Sequence, residues 1–177
     1  MKNLAKRLRA LWRREDGTAT MEFTLMIPAF LMIFMASFES GLLMVRSTML
    51  ERAVDLTMRE LRLGHFVNPD HAMLKADICS HTVIIANCNE VLKLSLEPID
   101  TATWVLPDSV PTCVDRAAEI QPVTEVNPGG AEEIMLVRAC VIADALFPTT
   151  GIGLDLAIDG QGGYGIYTES AFVNEPA

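Results

Sequence analysis

Residues 23–45 read FTLMIPAFLMIFMASFESGLLMV, an apolar run carrying a single charge, Glu39. About 20 residues of helix suffice to cross a hydrocarbon core. The run is apolar on every face rather than along one stripe, which separates a membrane helix from the core helix of a soluble domain. Upstream, residues 1–16 carry six basic side chains (Lys2, Lys6, Arg7, Arg9, Arg13, Arg14) against Glu15 and Asp16, a local balance of +4. That leaves eight basic against 21 acidic residues in the remainder of a chain whose net charge is −9. A basic tail, an apolar run and an acidic body place the N-terminus in the cytoplasm and the body outside, by the positive-inside rule. An acidic body without a basic patch also excludes nucleic acid as a partner, because phosphate neutralisation supplies most of that affinity.

The helical pattern continues past the apolar run. In RSTMLERAVDLTMRELRLG (residues 46–64), Leu50, Ala53, Val54, Met58 and Leu61 recur at steps of three and four, with Glu51, Arg52, Asp55, Arg59 and Arg62 on the other faces. Asp55 and Arg59 form an i,i+4 pair, and Gly64 is a natural stop. One helix over residues 18–63 would be about 69 Å long at ~1.5 Å per residue. Pro28 lies inside it and should bend it or open one hydrogen bond. The lone Glu39 falls about 26 Å beyond Glu22 along the helix axis, near the outer headgroups, where snorkelling to water accounts for it; no site role is assigned to it.

Asn68-Pro69 reads as an N-cap followed by proline at the first helical position, predicting a second helix to about Ile85. VLKLSLEP (residues 91–98) alternates Leu92, Leu94 and Leu96 against Lys93, Ser95 and Glu97, the period of a half-buried strand. A Pro-rich irregular stretch with Pro107, Pro111, Pro122 and Pro128 follows. EIMLVRACVIA (133–143) then reads as a second, more buried strand, and YGIYTESAFV (164–173), after glycine-rich residues, as a third. The expected fold class is α+β: a long N-terminal transmembrane and amphipathic helix packed on a small antiparallel-sheet domain. The expected segments are a basic leader (1–17), a transmembrane helix (18–45), an amphipathic extension (46–64) and an exported α+β domain (65–177).

Cys79, Cys88, Cys113 and Cys140 all follow the apolar run, and an even number in an exported domain reads as two disulfides. Three pairings are open. Cys79–Cys88 with Cys113–Cys140 is preferred, since the first closes a short local loop and the second would tie a long loop to a strand. A zinc site on Cys79, His81 and Cys88 is set aside, because the spacing matches no usual finger and the compartment favours disulfides. GQGGYG (160–165) lacks the preceding strand and following helix of a phosphate loop, and Asp155 with Asp159 is too sparse for calcium. No arrangement of nucleophile, base and orienting group looks catalytic. The expectation is no enzyme, no metal and no cofactor.

The junction before the apolar run is Arg13-Arg14-Glu15-Asp16-Gly17-Thr18-Ala19-Thr20-Met21-Glu22-Phe23. A secretory signal would be cut after its apolar region at a small-x-small site. Here a glycine precedes the run and a glutamate stands five residues after it, which resembles the type IV prepilin processing signal. That resemblance implies cleavage between Gly17 and Thr18 by a membrane-embedded prepilin peptidase, leaving the apolar run on the mature protein. Without a side chain, Gly17 extends into a protease cleft at little steric cost. Glu22 is a carboxylate at the edge of an apolar helix, where an unpaired charge costs several kcal/mol. In pilin-like assemblies it is thought to meet the new N-terminal amine of a neighbouring subunit. A helix-start residue favoured by the N-terminal dipole is the alternative account; the two are compatible, and the combination with Gly17 and the apolar run favours the first.

GTATMEFTLMIPAFL resembles the TadE-like pseudopilins of tight-adherence (Flp-type, type IVb) pilus systems, which share a Gly-x-x-x-x-Glu-Phe junction, a proline in the membrane helix and a long amphipathic continuation. More weakly, Ile78-Cys79 with Cys88, the Pro128-Gly129-Gly130 turn leading into LVRA (136–139), and AFVNEP (171–176) resemble the same proteins. Cys140 and Val141 stand where relatives often carry tyrosine. The resemblance implies a pilin-like inner-membrane pseudopilin, single-pass with its C-terminal domain in the periplasm and pilus-associated, that acts in pilus assembly or initiation. Gly17 and Thr18 would be its processing residues, and Glu22 and Phe23 its assembly residues. Membrane lipid, the prepilin peptidase, other pilins or pseudopilins and the assembly platform would be its partners. The competing reading is an unprocessed, signal-anchored periplasmic binding domain or enzyme, for which the sequence offers no converging polar residues.

Overall fold

The computed structural model describes residues 18–106, 113–121, 126–149 and 151–175. The leader and Gly17 lie outside them, as do Pro107, Pro111, Pro122 and Pro176. In chain order the elements are α1 (Thr18–Arg62), α2 (His71–Ser80), α3 (Cys88–Val91), β1 (Leu92–Pro98), β2 (Ile134–Ala143), α4 (Gly151–Asp155) and β3 (Tyr164–Val173). The strands form one antiparallel sheet in the order β1-β2-β3, so the α+β expectation holds.

α1 is continuous for 45 residues through Pro28, about 68 Å at ~1.5 Å per residue. Proline has no N–H, so the Thr24 carbonyl loses its helical partner there. Gly64, at φ 72°, ends the helix in the left-handed conformation. Its N–H donates to the Leu61 carbonyl (3.0 Å) and that of His65 to Glu60 (3.1 Å), satisfying carbonyls the helix end leaves open.

Two regimes divide α1. Residues 19–38 are exposed or half-exposed on all faces; from Glu39 onward the helix begins to bury side chains. Leu50, Ala53, Val54 and Met58 are fully buried and Leu61 packs at their margin, the stripe expected from the periodicity. They meet the inward face of the sheet: Leu92, Leu94 and Leu96 of β1, Met135, Val137, Ala139 and Val141 of β2, and Tyr164 and Ile166 of β3. The register explains why these residues share a face. Leu92, Leu94 and Leu96 stand opposite Val141, Ala139 and Val137, and alternate residues of a strand point the same way. Lys93 departs from the expected alternation in being buried; burial, with Lys75 nearby, lowers its pKa. β2 is buried on both faces from Val137 to Ala143 because it is the central strand.

α2 differs from the sequence expectation at both ends. Asn68 takes a left-handed backbone (φ 51°), and Asp70 caps the helix instead, its carboxylate accepting the Met73 N–H at 2.7 Å. The helix stops at Ser80 rather than near Ile85, and the Cys79–Cys88 disulfide pulls the following turn back. Leu74 and Ile78 are buried from α2, and Thr57 of α1 donates to Asp77 at 2.7 Å. The second disulfide joins Cys113 to Cys140 on β2. Cys140 lies on the strand face opposite Ala139 and Val141, so this bond holds the long β1–β2 connection against the sheet surface turned away from α1.

Candidate assembly site

Thr18 begins α1, and Glu22 and Phe23 follow within its first two turns, both exposed. Gly17 lies outside the described residues. Four residues along a helix are about one turn, so Glu22 stands on the same face as Thr18 and about 6 Å further along the axis. Among the described residues, no cation lies within ion-pair distance of Glu22.

The segment that follows is apolar and exposed or half-exposed on every face. Its hydroxyls bond back to their own helix: Thr24 donates to Thr20 (2.5 Å) and Ser37 to Ile33 (2.8 Å). Such internal bonds are what a hydroxyl in hydrocarbon requires. Phe30, Phe34 and Phe38 make a continuous ridge, with ring centroids 6.4 and 4.9 Å apart. Residues 19–38 span about 30 Å of helix, close to the thickness of a hydrocarbon core. Length and hydropathy make α1 able to cross a membrane.

Glu39 does not snorkel. Its side chain is 1% exposed, and its Oε2 accepts the N–H groups of Leu146 (2.8 Å) and Phe147 (3.0 Å), in the loop that follows β2. The folded domain reaches about two turns further down the helix than the amphipathic pattern implied and encloses this carboxylate. Two turns on, Arg46 donates from one nitrogen to both the Asp144 carbonyl (2.8 Å) and the Tyr164 hydroxyl (2.7 Å). Burial pushes the Tyr164 hydroxyl's pKa up, and Arg46 offsets part of that.

Arg116, on the β1–β2 connection, pairs with Asp159 (2.5 Å) and Asp144 (2.7 Å); the hydrogen bonds it donates to these carboxylates raise its pKa further above the solution range. Burial works against the Asp159 carboxylate, but Arg116 and the N–H groups of Gly163 and Gln161 outweigh it and hold the pKa below normal. Asp159 therefore organises the 160–163 turn. A cleft of about 570 Å³, lined by Arg46, Glu90, Val114, Arg116 and Asp144 among others, opens beside this network. Its arginines are engaged with Asp144, Asp159 and Tyr164. Among the described residues no three His, Cys, Asp or Glu side chains gather to hold a metal.

The disulfides carry the four cysteines as Cys79–Cys88 and Cys113–Cys140, with Cα atoms 5.6 and 5.2 Å apart. Glu22 and Phe23 remain apart from both, at the far end of α1. Sequence reasoning missed the Glu39 acceptor and the Arg46–Tyr164 and Arg116–Asp159 pairs. A lone acid at the end of an apolar run was the only local signal for the first; the others join residues 118 and 43 positions apart.

No curated protein and no solved structure matches the chain. A family model described as TadE-like protein matches residues 17–59. The matched stretch begins at the glycine, includes Glu22, the lipid-length run and Glu39, and ends within the stripe that packs on the sheet. The fainter likenesses traced between residues 78 and 176 lie outside it. The similarity to the TadE-like family thus covers residues 17–59, from Gly17 to the domain-packing stripe.

Proposed function

We propose that this chain is a pseudopilin of a tight-adherence pilus, cleaved between Gly17 and Thr18 by a prepilin peptidase and acting in assembly or initiation of the filament. The observation that carries the reading is the coincidence, within the TadE-like segment, of Gly17, Glu22 and a 20-residue stretch of α1 exposed on all sides. Residues 19–38 lie in the inner membrane and the domain beyond Glu39 lies in the periplasm. Cleavage creates an amine at Thr18. Glu22, on the same helix face, is the carboxylate that meets such an amine from a neighbouring subunit. In hydrocarbon that pairing removes two otherwise costly charges. Phe23 stands beside it as the apolar contact. The disulfides suit the oxidising compartment this topology implies. Partners are lipid, the peptidase, and other pilins or pseudopilins with their assembly platform.

N-terminal sequencing of the protein from cells with and without the peptidase tests the processing. The expected N-terminus is Thr18 when the peptidase is present, and retention of Met1 in those cells refutes it. Glu22→Ala should be cleaved normally yet fail to support piliation; normal pili from that variant would remove the amine-pairing role.

A further inference from the structure

We propose that the β2–β3 connection, over its described residues 144–149 and 151–158, is a lipid-contacting collar whose exposed Leu146, Leu156 and Ile158 sit in the headgroup region of the leaflet from which α1 emerges. The inference rests on the reading of residues 19–38 as the membrane span.

The loop's position follows from its tether. Leu146 and Phe147 donate their N–H groups to Glu39, the first buried residue after the all-round exposed segment. The loop is therefore level with the point where about 30 Å of apolar helix ends. Its composition suits that level. Residues 145–154 read ALFPTTGIGL without a charge, in a chain where 21% of residues are charged. Leu146 is 55% exposed, Leu156 41% and Ile158 56%, so the apolar side chains face outward rather than into the domain.

The loop is also held in shape. Gly153 approaches so closely that a Cβ there would lie 2.5 Å from the Phe147 carbonyl oxygen. The Leu156 N–H donates to Ile152, Ala157 bridges to Tyr164, and the Ile158 N–H donates to Gly163. A presented apolar surface of this kind enters the headgroup and acyl boundary by about 5–10 Å. Asp144 and Asp155 are exposed beside it, and the headgroup region leaves their carboxylates in water. Lipid is the occupant because the continuous backbone of α1 brings the bilayer edge to this loop. A second exposed apolar cluster, Trp104, Val105 and Leu106, follows the opposite end of the sheet, where Pro98 pairs with Met135. It serves as the control.

The test uses the full chain in vesicles of phosphatidylcholine and phosphatidylglycerol, with lipids brominated at shallow or deep acyl positions. Leu146→Trp and Phe30→Trp are each made in a Trp12→Phe/Trp104→Phe background, and Trp104 is read alone in Trp12→Phe. Expected is a blue-shifted Leu146→Trp emission that loses most of its intensity to shallow bromines and less to deep ones, equally at low and high salt. Phe30→Trp should be quenched most by deep bromines, and Trp104 by neither. Unquenched Leu146→Trp with quenched Phe30→Trp overturns the collar while leaving the membrane span intact. If Phe30→Trp is also unquenched, the span fails and the collar with it. A Leu146→Trp emission that ignores bromine but shifts blue as protein per vesicle rises means that a second copy covers the loop, and the proposal is wrong.

Discussion

Removing the Cys113–Cys140 disulfide should destabilise the domain more than removing Cys79–Cys88, by an amount set by loop length. The first bond closes a loop of 27 residues and the second a loop of 9. Cross-linking removes chain entropy from the unfolded state in proportion to the logarithm of loop length, giving about 3.5 kcal/mol for the longer loop and about 2.6 kcal/mol for the shorter. Each pair includes one buried cysteine, Cys140 and Cys88, so the lost sulfur packing is similar and the difference isolates the loop. Unfolding entropy of about 2.1 cal/mol/K per residue over roughly 110 residues of folded domain converts these values to Tm losses of about 15 °C and about 11 °C. The assay is thermal unfolding followed by near-UV circular dichroism on the full chain in detergent micelles. Cys113→Ala/Cys140→Ala is compared with Cys79→Ala/Cys88→Ala and the parent protein. An equal or greater loss for the shorter loop refutes the reasoning, because local packing around α2 would then outweigh chain entropy.

Three further outcomes follow from the network where helix meets sheet. Glu39→Ala strips two N–H groups of their acceptor, costing about 2 kcal/mol in total at the low end of ~1–3 kcal/mol per orphaned buried group. Hydrogen exchange of the Leu146 and Phe147 amides should quicken while that of β2 is unchanged, and Glu39→Gln, whose amide oxygen still accepts, should recover most of the protection. Asp159→Asn leaves Arg116 with Asp144 as its remaining carboxylate and should cost about 2 kcal/mol, the scale of a hydrogen bond between charged groups. Because the folded pKa of Asp159 is depressed, its stabilisation is complete above the unperturbed carboxylate value of ~4 and is lost as pH falls through the lower folded value. Melting curves of the parent protein and Asp159→Asn should therefore converge at the acid end; a constant gap would show that the carboxylate's charge is not what stabilises the turn. Asp70→Ala removes the cap that accepts the Met73 N–H and should cost about 1 kcal/mol, read as a lowered denaturation midpoint with an unchanged denaturant slope.

Much of the architecture was written in local patterns. The apolar run of residues 23–45 determines a helix, and the three-and-four spacing of Leu50, Ala53, Val54 and Met58 and the alternation of Leu92, Leu94 and Leu96 each determine an element and the face it buries. They do so because helix and strand have fixed periods that a short window reveals. The stop at Gly64 was equally legible, since only a residue without a Cβ takes that backbone readily. The cap of α2 was less so. Asn68 and Asp70 are both capping residues two positions apart, and which one caps depends on where the chain leaves α1.

What the tertiary structure decided is how distant segments meet. Strand register set Cys140 on the face turned away from α1 and so opposite the loop that carries Cys113. Packing brought Arg116 to Asp159 and Arg46 to Tyr164. Glu39 shows the difference most plainly. In the sequence it is one charge at the end of an apolar run, and its neighbours predict only a side chain reaching for water. In the fold it finds two N–H groups 107 and 108 residues away. A carboxylate's local surroundings state the cost of burying it, while only the completed chain path supplies donors that offset that cost, here both at Oε2.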